Sequence, residues 1–160
     1  MTARVSRARL SRSFTTRPRR SGEPGDAYHF VTREEFEERI SRGLFLEWEE
    51  FNGNLYGTPS GSVEEGEILV LEIDVKGARS VKRVDPSSLV IALEPPSLGV
   101  LEDRMRLRGD PEDHVRVRLK LAVEEMAEAR ELADLVLINA NLEETVERAA
   151  AAIAEWASQR

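Results

Sequence analysis

The pattern of hydrophobic and polar positions along the chain changes at Gly66. Before Gly66, three short segments alternate between apolar and polar side chains: residues 28–31, 44–51 and 55–58. Such alternation predicts half-buried strands, and the NGN at 52–54 predicts a hairpin turn between the last two. Thr32 and Glu35 have the spacing of a capping box, which predicts a helix that ends at Gly43. The first third of the chain is therefore expected to form a small strand-rich unit.

After Gly66 the apolar segments lose their alternation. The sequences ILVLEID, LVIALE and LVLIN predict buried strands at residues 68–74, 89–94 and 135–139. Helical periodicity fills the intervals at residues 78–84, 97–108 and 111–132, and a last helix is predicted from Asn141. This alternation is typical of a parallel sheet covered by helices, in which ligands bind at the carboxyl ends of the strands. Asp74 stands at such an end, where a helix cap is the alternative role for its side chain.

Composition narrows the class of protein. The chain has 160 residues, of which 41% are hydrophobic and 33% are charged, and this balance predicts one globular domain. No apolar run approaches the roughly 18 residues that a membrane span requires. The chain has no cysteine and only two histidines, His29 and His114, which excludes disulfides and argues against a metal site built from these residues. We expect a cytoplasmic protein without a metal site of its own.

Arginine dominates the positive charge. The net charge is -7, yet residues 1–20 contain seven arginines and no acid, so the remaining 140 residues carry -14. Because the planar guanidinium binds phosphate through two parallel hydrogen bonds, the arginines suggest a phosphate-bearing ligand as a first hypothesis. Composition alone favours the alternative, an arginine-rich coding bias with these side chains on solvated faces. Nucleic acid is not an expected partner, since the chain after the basic start is acidic. The arginine-rich start also resembles a targeting peptide, but it continues without a break into the motif that begins at residue 13, which argues against that role.

Five segments carry a resemblance to a known family. They are SFTTRPRRSGE at 13–23, YHFVTREEF at 28–36, GLFLEW at 43–48, NGNLYGTP at 52–59 and LEIDVKGA at 71–78. In this order they resemble the GMP-binding region of the guanylate kinases, enzymes of purine nucleotide metabolism. Farther along, RMRLRGD and EDHVRVRL resemble the lid of that family and the helix after it, and LVLIN with the last helix resembles its final strand and helix.

The resemblance runs from about residue 11 to the end of the chain and implies a fold. That fold is the α/β three-layer sandwich of the P-loop kinases, with a parallel sheet, a small GMP-binding subdomain and a helical lid. It implies a single guanylate kinase-like domain over residues 1–160. Within it the expected parts are a GMP-binding subdomain at approximately 13–60, a core at 66–96 and 133–160, and the lid region with its following helix at 97–132.

The same resemblance implies a GMP site in the first half of the chain. The positions that match the family's phosphate-binding side chains are Arg17, Arg20, Tyr28 and Tyr56. The carboxylate that recognises guanine corresponds to Glu47, and the other guanine contacts correspond to Ser13, Thr58 and Asp74. A carboxylate accepts the adjacent N1–H and N2–H₂ donors of guanine, whereas adenine presents an acceptor at N1. The alternative for Glu47 is a solvent-facing position on its strand.

The catalytic arginines of the family's lid, which contact the donor phosphates, correspond to Arg104, Arg108 and Arg118. The alternative is a surface role in ion pairs with Asp103 and Asp110. The loop between Arg108 and Arg118 is one residue shorter than the family pattern, and Lys76 and Ala140 also depart from it.

Transfer of a γ-phosphoryl group by this fold uses a P-loop, GxxxxGK[ST], which holds the phosphates of ATP and its Mg²⁺. The 160 residues contain no such motif, because none of the three lysines, Lys76, Lys82 and Lys120, follows a glycine. The expected fold therefore lacks the first strand, the P-loop and the first helix. Phosphoryl transfer by this chain alone is accordingly not expected.

Two interpretations remain open. In the first, the sequence is part of a guanylate kinase, which catalyses ATP + GMP = ADP + GDP with Mg²⁺ and ATP. In the second, it is a non-catalytic module that binds a nucleotide or a phosphopeptide. The matches at both the acceptor site and the lid favour the kinase. The expected partner is GMP, together with ATP if the chain is active. Neither nucleic acid nor a membrane is an expected partner. Unpaired sheet edges predict that the chain self-associates or that another chain supplies the missing segment.

Overall fold

The computed structural model describes residues 7–61, 64 and 66–159. These residues fall into two compact units, 7–87 and 88–159. Within the described part of the chain, no helix is long and apolar enough to cross a membrane.

The first unit combines short strands with two helices. In chain order its elements are β1 (Ala8–Leu10), β2 (Phe14–Thr15), β3 (His29–Phe30), α1 (Arg33–Ser41), β4 (Phe45–Phe51), β5 (Asn54–Pro59), β6 (Ile68–Val70) and α2 (Val75–Val84). β1 and β6 pair in parallel, and a four-stranded sheet has the order β3-β2-β5-β4. In that sheet β2 pairs with β3 in parallel and with β5 antiparallel, and β4 and β5 form an antiparallel hairpin.

Local sequence explains the start of α1 and the turn of the hairpin. The Thr32 hydroxyl accepts the Glu35 amide at 3.2 Å, and the Glu35 carboxylate accepts the Thr32 amide at 2.9 Å, so the predicted capping box is confirmed. Asn52 and Gly53 have φ of 50° and 74°, the left-handed conformation that a tight hairpin turn requires at both of its central residues.

An aromatic cluster packs α1 against the sheet. Phe36 is completely buried and stacks on Phe45 with ring centroids 4.5 Å apart, and Phe14 meets Phe45 edge-on at 5.7 Å. A Cβ at Gly57 would lie 2.9 Å from both the Phe36 and the Phe45 rings. A glycine is therefore required where β5 passes these rings. The cluster fixes the strands that carry the candidate site.

The second unit alternates strands and helices, as the sequence predicts. Its elements are β7 (Ile91–Glu94), α3 (Leu98–Leu107), α4 (Glu112–Leu132), β8 (Leu135–Ile138) and α5 (Leu142–Ser158). β7 and β8 pair in parallel, with Ile91 opposite Leu135. The Asn141 side chain accepts the Glu144 amide at 3.1 Å, so the predicted cap of the last helix is confirmed. The α/β fold with parallel pairing is thus as expected.

The predicted strand over residues 68–74 is too long. The strand spans only Ile68–Val70, because its parallel partner β1 has three residues and the pairing ends at Leu10 opposite Val70. The chain then turns into α2, which begins at Val75 rather than at the predicted residue 78. Asp74 is its N-cap, and its Oδ1 accepts the Gly77 amide at 2.8 Å. The cap role is therefore confirmed, and it leaves the second carboxylate oxygen of Asp74 for other contacts.

Candidate functional site

Glu47 is a buried carboxylate on the β4–β5 hairpin. The hairpin register places Glu47 opposite Thr58, and Glu47 Oε1 accepts the Thr58 amide at 3.1 Å. Only 8% of Glu47 is exposed, so the alternative of a solvent-facing Glu47 is wrong. Burial raises the pKa of Glu47 above its ordinary value, hydrogen bonding from Thr58 opposes this rise, and the nearby charge of Asp74 adds to it.

The surroundings of Glu47 leave hydrogen-bonding capacity for a ligand. Thr58 is 1% exposed, and its hydroxyl lies close enough to the Glu47 carboxylate to lower the pKa of that carboxyl, although it forms no well-aligned hydrogen bond within the described residues. A buried hydroxyl without a well-formed hydrogen bond is costly, and a polar ligand would relieve that cost. The first turn of α2 brings Asp74 and Gly77 next to the Glu47 carboxylate. Glu47, Thr58 and Asp74, three of the residues predicted to contact guanine, therefore lie together.

Arg17 is held by an ion pair that the sequence did not predict. Its Nη1 and Nη2 donate to the Glu23 carboxylate at 3.0 and 2.7 Å, and the same carboxylate accepts the Arg20 amide at 2.9 Å. The hydrogen bond to Arg17 lowers the pKa of Glu23 to about 2, and the Arg20 amide contributes. Glu23 thus holds the guanidinium of Arg17 and the backbone of Arg20, the two arginines predicted to bind phosphate. In the sequence, Glu23 follows Arg17 by six residues and Arg20 by three, and this spacing was the signal that could have predicted the contact.

Two tyrosines complete the cluster around Arg17. The Tyr28 and Tyr56 rings are 6.3 Å apart, and the Arg17 guanidinium lies 5.5 Å from the centre of the Tyr28 ring. Burial raises the pKa of the Tyr28 hydroxyl above its ordinary value, and the charge of Glu72 raises it further. The phenol therefore keeps its proton at neutral pH and can donate a hydrogen bond to an anion. The structure brings Arg17, Tyr28 and Tyr56 together.

A cavity of about 640 Å³ opens beside this cluster, within the size range of small-molecule sites. Ser13, Tyr28 and Glu72 are among the residues that line it. Arg12 donates from Nη2 to the carbonyl oxygens of Gly25 at 2.9 Å and Tyr28 at 2.7 Å, which ties the loop before Tyr28 to the start of β2. Arg12 had no predicted role, since no local sequence pattern connects it to that loop.

The three predicted lid arginines lie in the second unit, where α3 packs against α4. Arg104 Nη2 donates to the carbonyl oxygen of Asn139 at 2.8 Å, at the carboxyl end of β8. Arg108 pairs with Asp110, as the ion-pair alternative expects. Arg118 is exposed on α4. Contact of these arginines with ATP stays a prediction.

No group of three or more histidine, cysteine, aspartate or glutamate residues in the described part of the chain could hold a metal ion.

The first unit of this α/β protein thus combines the buried Glu47 carboxylate on the β4–β5 hairpin with a cluster of Arg17, Tyr28 and Tyr56. Comparison with known proteins identifies the family. The profile of the family described as guanylate kinase matches residues 2–156, so the chain belongs to the guanylate kinase family.

Relatives and solved structures agree with this assignment. The chain is 43% identical to a guanylate kinase of Syntrophus aciditrophicus over 151 residues, which cover 91% of this chain and 72% of that protein. It is 46% identical to a guanylate kinase of Rubrobacter xylanophilus, covering 87% and 75% of the two chains. The crystal structure of guanylate kinase from Anaplasma phagocytophilum superposes with a TM-score of 0.78 at 32% identity, covering 96% and 78%.

The family and the fold expected from the sequence are therefore confirmed. The non-catalytic module finds no support in these comparisons, which match guanylate kinases. The expectations that this chain alone does not transfer phosphate and that it self-associates stay predictions.

Proposed function

We propose that this chain binds GMP as the phosphoryl acceptor of the reaction ATP + GMP = ADP + GDP. Membership of the guanylate kinase family supports the reaction class. The observation that carries the choice of GMP is the buried Glu47 carboxylate, whose Oε1 accepts the Thr58 amide and which keeps further acceptor capacity for a ligand. Such a group needs donors from a ligand, and guanine offers two adjacent ones.

In this proposal the two ends of GMP meet different parts of the first unit. Arg17 and Arg20 bind the phosphate dianion, and the hydroxyls of Tyr28 and Tyr56 donate to its remaining oxygens. Ser13, Thr58 and Asp74 contact the guanosine end. The phosphate contacts are the same for every purine monophosphate, so they do not discriminate, and the Glu47 carboxylate provides the preference for guanine.

The donor side of the reaction is assigned to the second unit and to the substrate itself. Arg104, Arg108 and Arg118 contact the phosphates of ATP during transfer, and Mg²⁺ enters bound to ATP. Positive side chains at this place stabilise the charge that develops on the transferred phosphoryl group.

Isothermal titration of GMP and AMP tests the proposal. Glu47→Gln is expected to weaken the affinity for GMP by about 10- to 150-fold, because a charge-assisted hydrogen bond contributes roughly 1.5–3 kcal/mol, and to leave the affinity for AMP nearly unchanged. Glu50→Gln is the matched control, since Glu50 is exposed on the same strand. A Glu47→Gln variant that keeps its preference for GMP would remove Glu47 from the site.

A further inference from the structure

Gly77 stands where its backbone does not require glycine. It is the third residue of α2, and it is not among the glycines with positive φ. Alanine is a better helix former than glycine at such a position. The reason for glycine at this position therefore lies in what surrounds the helix.

Two neighbours crowd a side chain at position 77, the Glu47 carboxylate and Ile73. A Cβ at position 77 would lie 3.0 Å from Glu47 Oε2 and 3.3 Å from its Cδ, and 3.2 Å from the Cβ of Ile73. At these distances the neighbouring atoms must shift by a few tenths of an ångström to admit a methyl group. The other carboxylate oxygen, Glu47 Oε1, is tied to the Thr58 amide at 3.1 Å. The carboxylate cannot retreat from α2 without disturbing that hydrogen bond.

We propose that Gly77 is a positioning residue that determines specificity for guanine, because its missing side chain leaves the Glu47 carboxylate room to lie against the first turn of α2. This inference rests on the proposed function of Glu47. Two adjacent donors on guanine must meet the two oxygens of one carboxylate in one plane, so a displacement of a few tenths of an ångström weakens both hydrogen bonds. Adenine makes no such pair, and the phosphate contacts lie elsewhere.

Titration of GMP and AMP against Gly77→Ala tests this directly. GMP affinity is expected to fall about tenfold, while AMP affinity stays within about twofold of the wild-type value. The matched control is Gly99→Ala in α3, where a Cβ would make only an ordinary contact of 3.7 Å with Ser97 Oγ. Equal losses for GMP and AMP, or an unchanged preference, would overturn the inference.

A double variant separates action through Glu47 from a general effect on the fold. In a Glu47→Gln background, Gly77→Ala is expected to cause no further loss of preference, because residues that act through one contact are not additive. If wild type does not prefer GMP, the proposed function fails. If wild type prefers GMP and Glu47→Gln loses that preference while Gly77→Ala keeps it, only the inference about Gly77 fails.

Thermal unfolding provides a readout that needs no nucleotide. Shortening the side chain in Glu47→Asp withdraws the carboxylate from position 77, whereas the contact with Ile73 remains. Gly77→Ala is therefore expected to lower the unfolding midpoint more in the wild-type background than in the Glu47→Asp background. Equal shifts in the two backgrounds would contradict the proposed contact, and this comparison also decides the case if Gly77→Ala proves too unstable to titrate.

Discussion

Replacing Glu23 with Gln is expected to lower the free energy of unfolding of the first unit by about 2 kcal/mol near pH 7. The Glu23 carboxylate accepts two hydrogen bonds from the Arg17 guanidinium and one from the Arg20 amide. The Arg17 and Glu23 side chains are only 12% and 14% exposed, so water screens the pair weakly. A neutral amide keeps the shape of the side chain but leaves the Arg17 charge without its counterion.

The effect of this substitution should depend on pH in a defined direction. The pKa of Glu23 is lowered to about 2 in the folded chain, so the pair contributes its full stability above the ordinary glutamate value of 4.5. That contribution is lost as the pH falls through this window. The difference between wild type and Glu23→Gln should therefore shrink to less than half by about pH 3.

Urea unfolding followed by tryptophan fluorescence measures the difference. The chain has two tryptophans, so a Trp156→Phe background leaves Trp48, in the first unit, as the probe. Glu38→Gln is the matched control, because its pair with Arg42 is 3.4 Å long and more than 60% exposed on both sides, and a change within about 0.5 kcal/mol is expected. A loss for Glu23→Gln no larger than that of the control, or one that does not shrink on acidification, would show that the Arg17–Glu23 ion pair does not stabilise the first unit.

Three further results are expected. The ratio of GMP to AMP affinity should fall on acidification, because the protonated Glu47 carboxyl loses an acceptor. The fall should begin above the ordinary glutamate pKa of 4.5, since the pKa of Glu47 is raised, and Glu47→Gln should abolish this pH dependence in the same titrations. Arg20→Ala should weaken GMP and AMP by similar factors, of about tenfold each, and unequal losses would contradict a phosphate role. Arg130→Met should lower the urea midpoint more than Arg116→Met, since Arg130 makes two 2.7 Å hydrogen bonds to Glu94, which is 3% exposed; equal shifts would count against the pair.

Elements set by local sequence were predictable. The capping box of Thr32 and Glu35 and the Asn52–Gly53 turn depend on residues within four positions of each other, and the structure has both. The end of β6 was not predictable in the same way. Apolar residues continue past Val70, but the three-residue partner strand stops the pairing there. Strand length is set by the neighbour in the sheet, which periodicity does not report.

The candidate site was likewise predictable only in part. The family resemblance indicated Glu47 and Arg17. The alternating pattern of the strand did not predict the burial of Glu47, because that burial depends on the packing of α2 against β4. Glu23, Arg12 and Gly77 escaped notice because their roles appear only in contacts with other segments. Glu23 bonds Arg17 across a loop, and Gly77 matters through a side chain thirty positions earlier in the sequence.

A titration of the wild-type chain with GMP, IMP and AMP tests the proposed function most directly. The three nucleotides share the ribose and the phosphate, and they offer Glu47 two donors, one donor and none. Affinity is expected to fall in the order GMP, IMP, AMP, with steps of about tenfold for each charge-assisted hydrogen bond lost. Equal affinities for the three nucleotides, or tighter binding of AMP than of GMP, would contradict the proposed function.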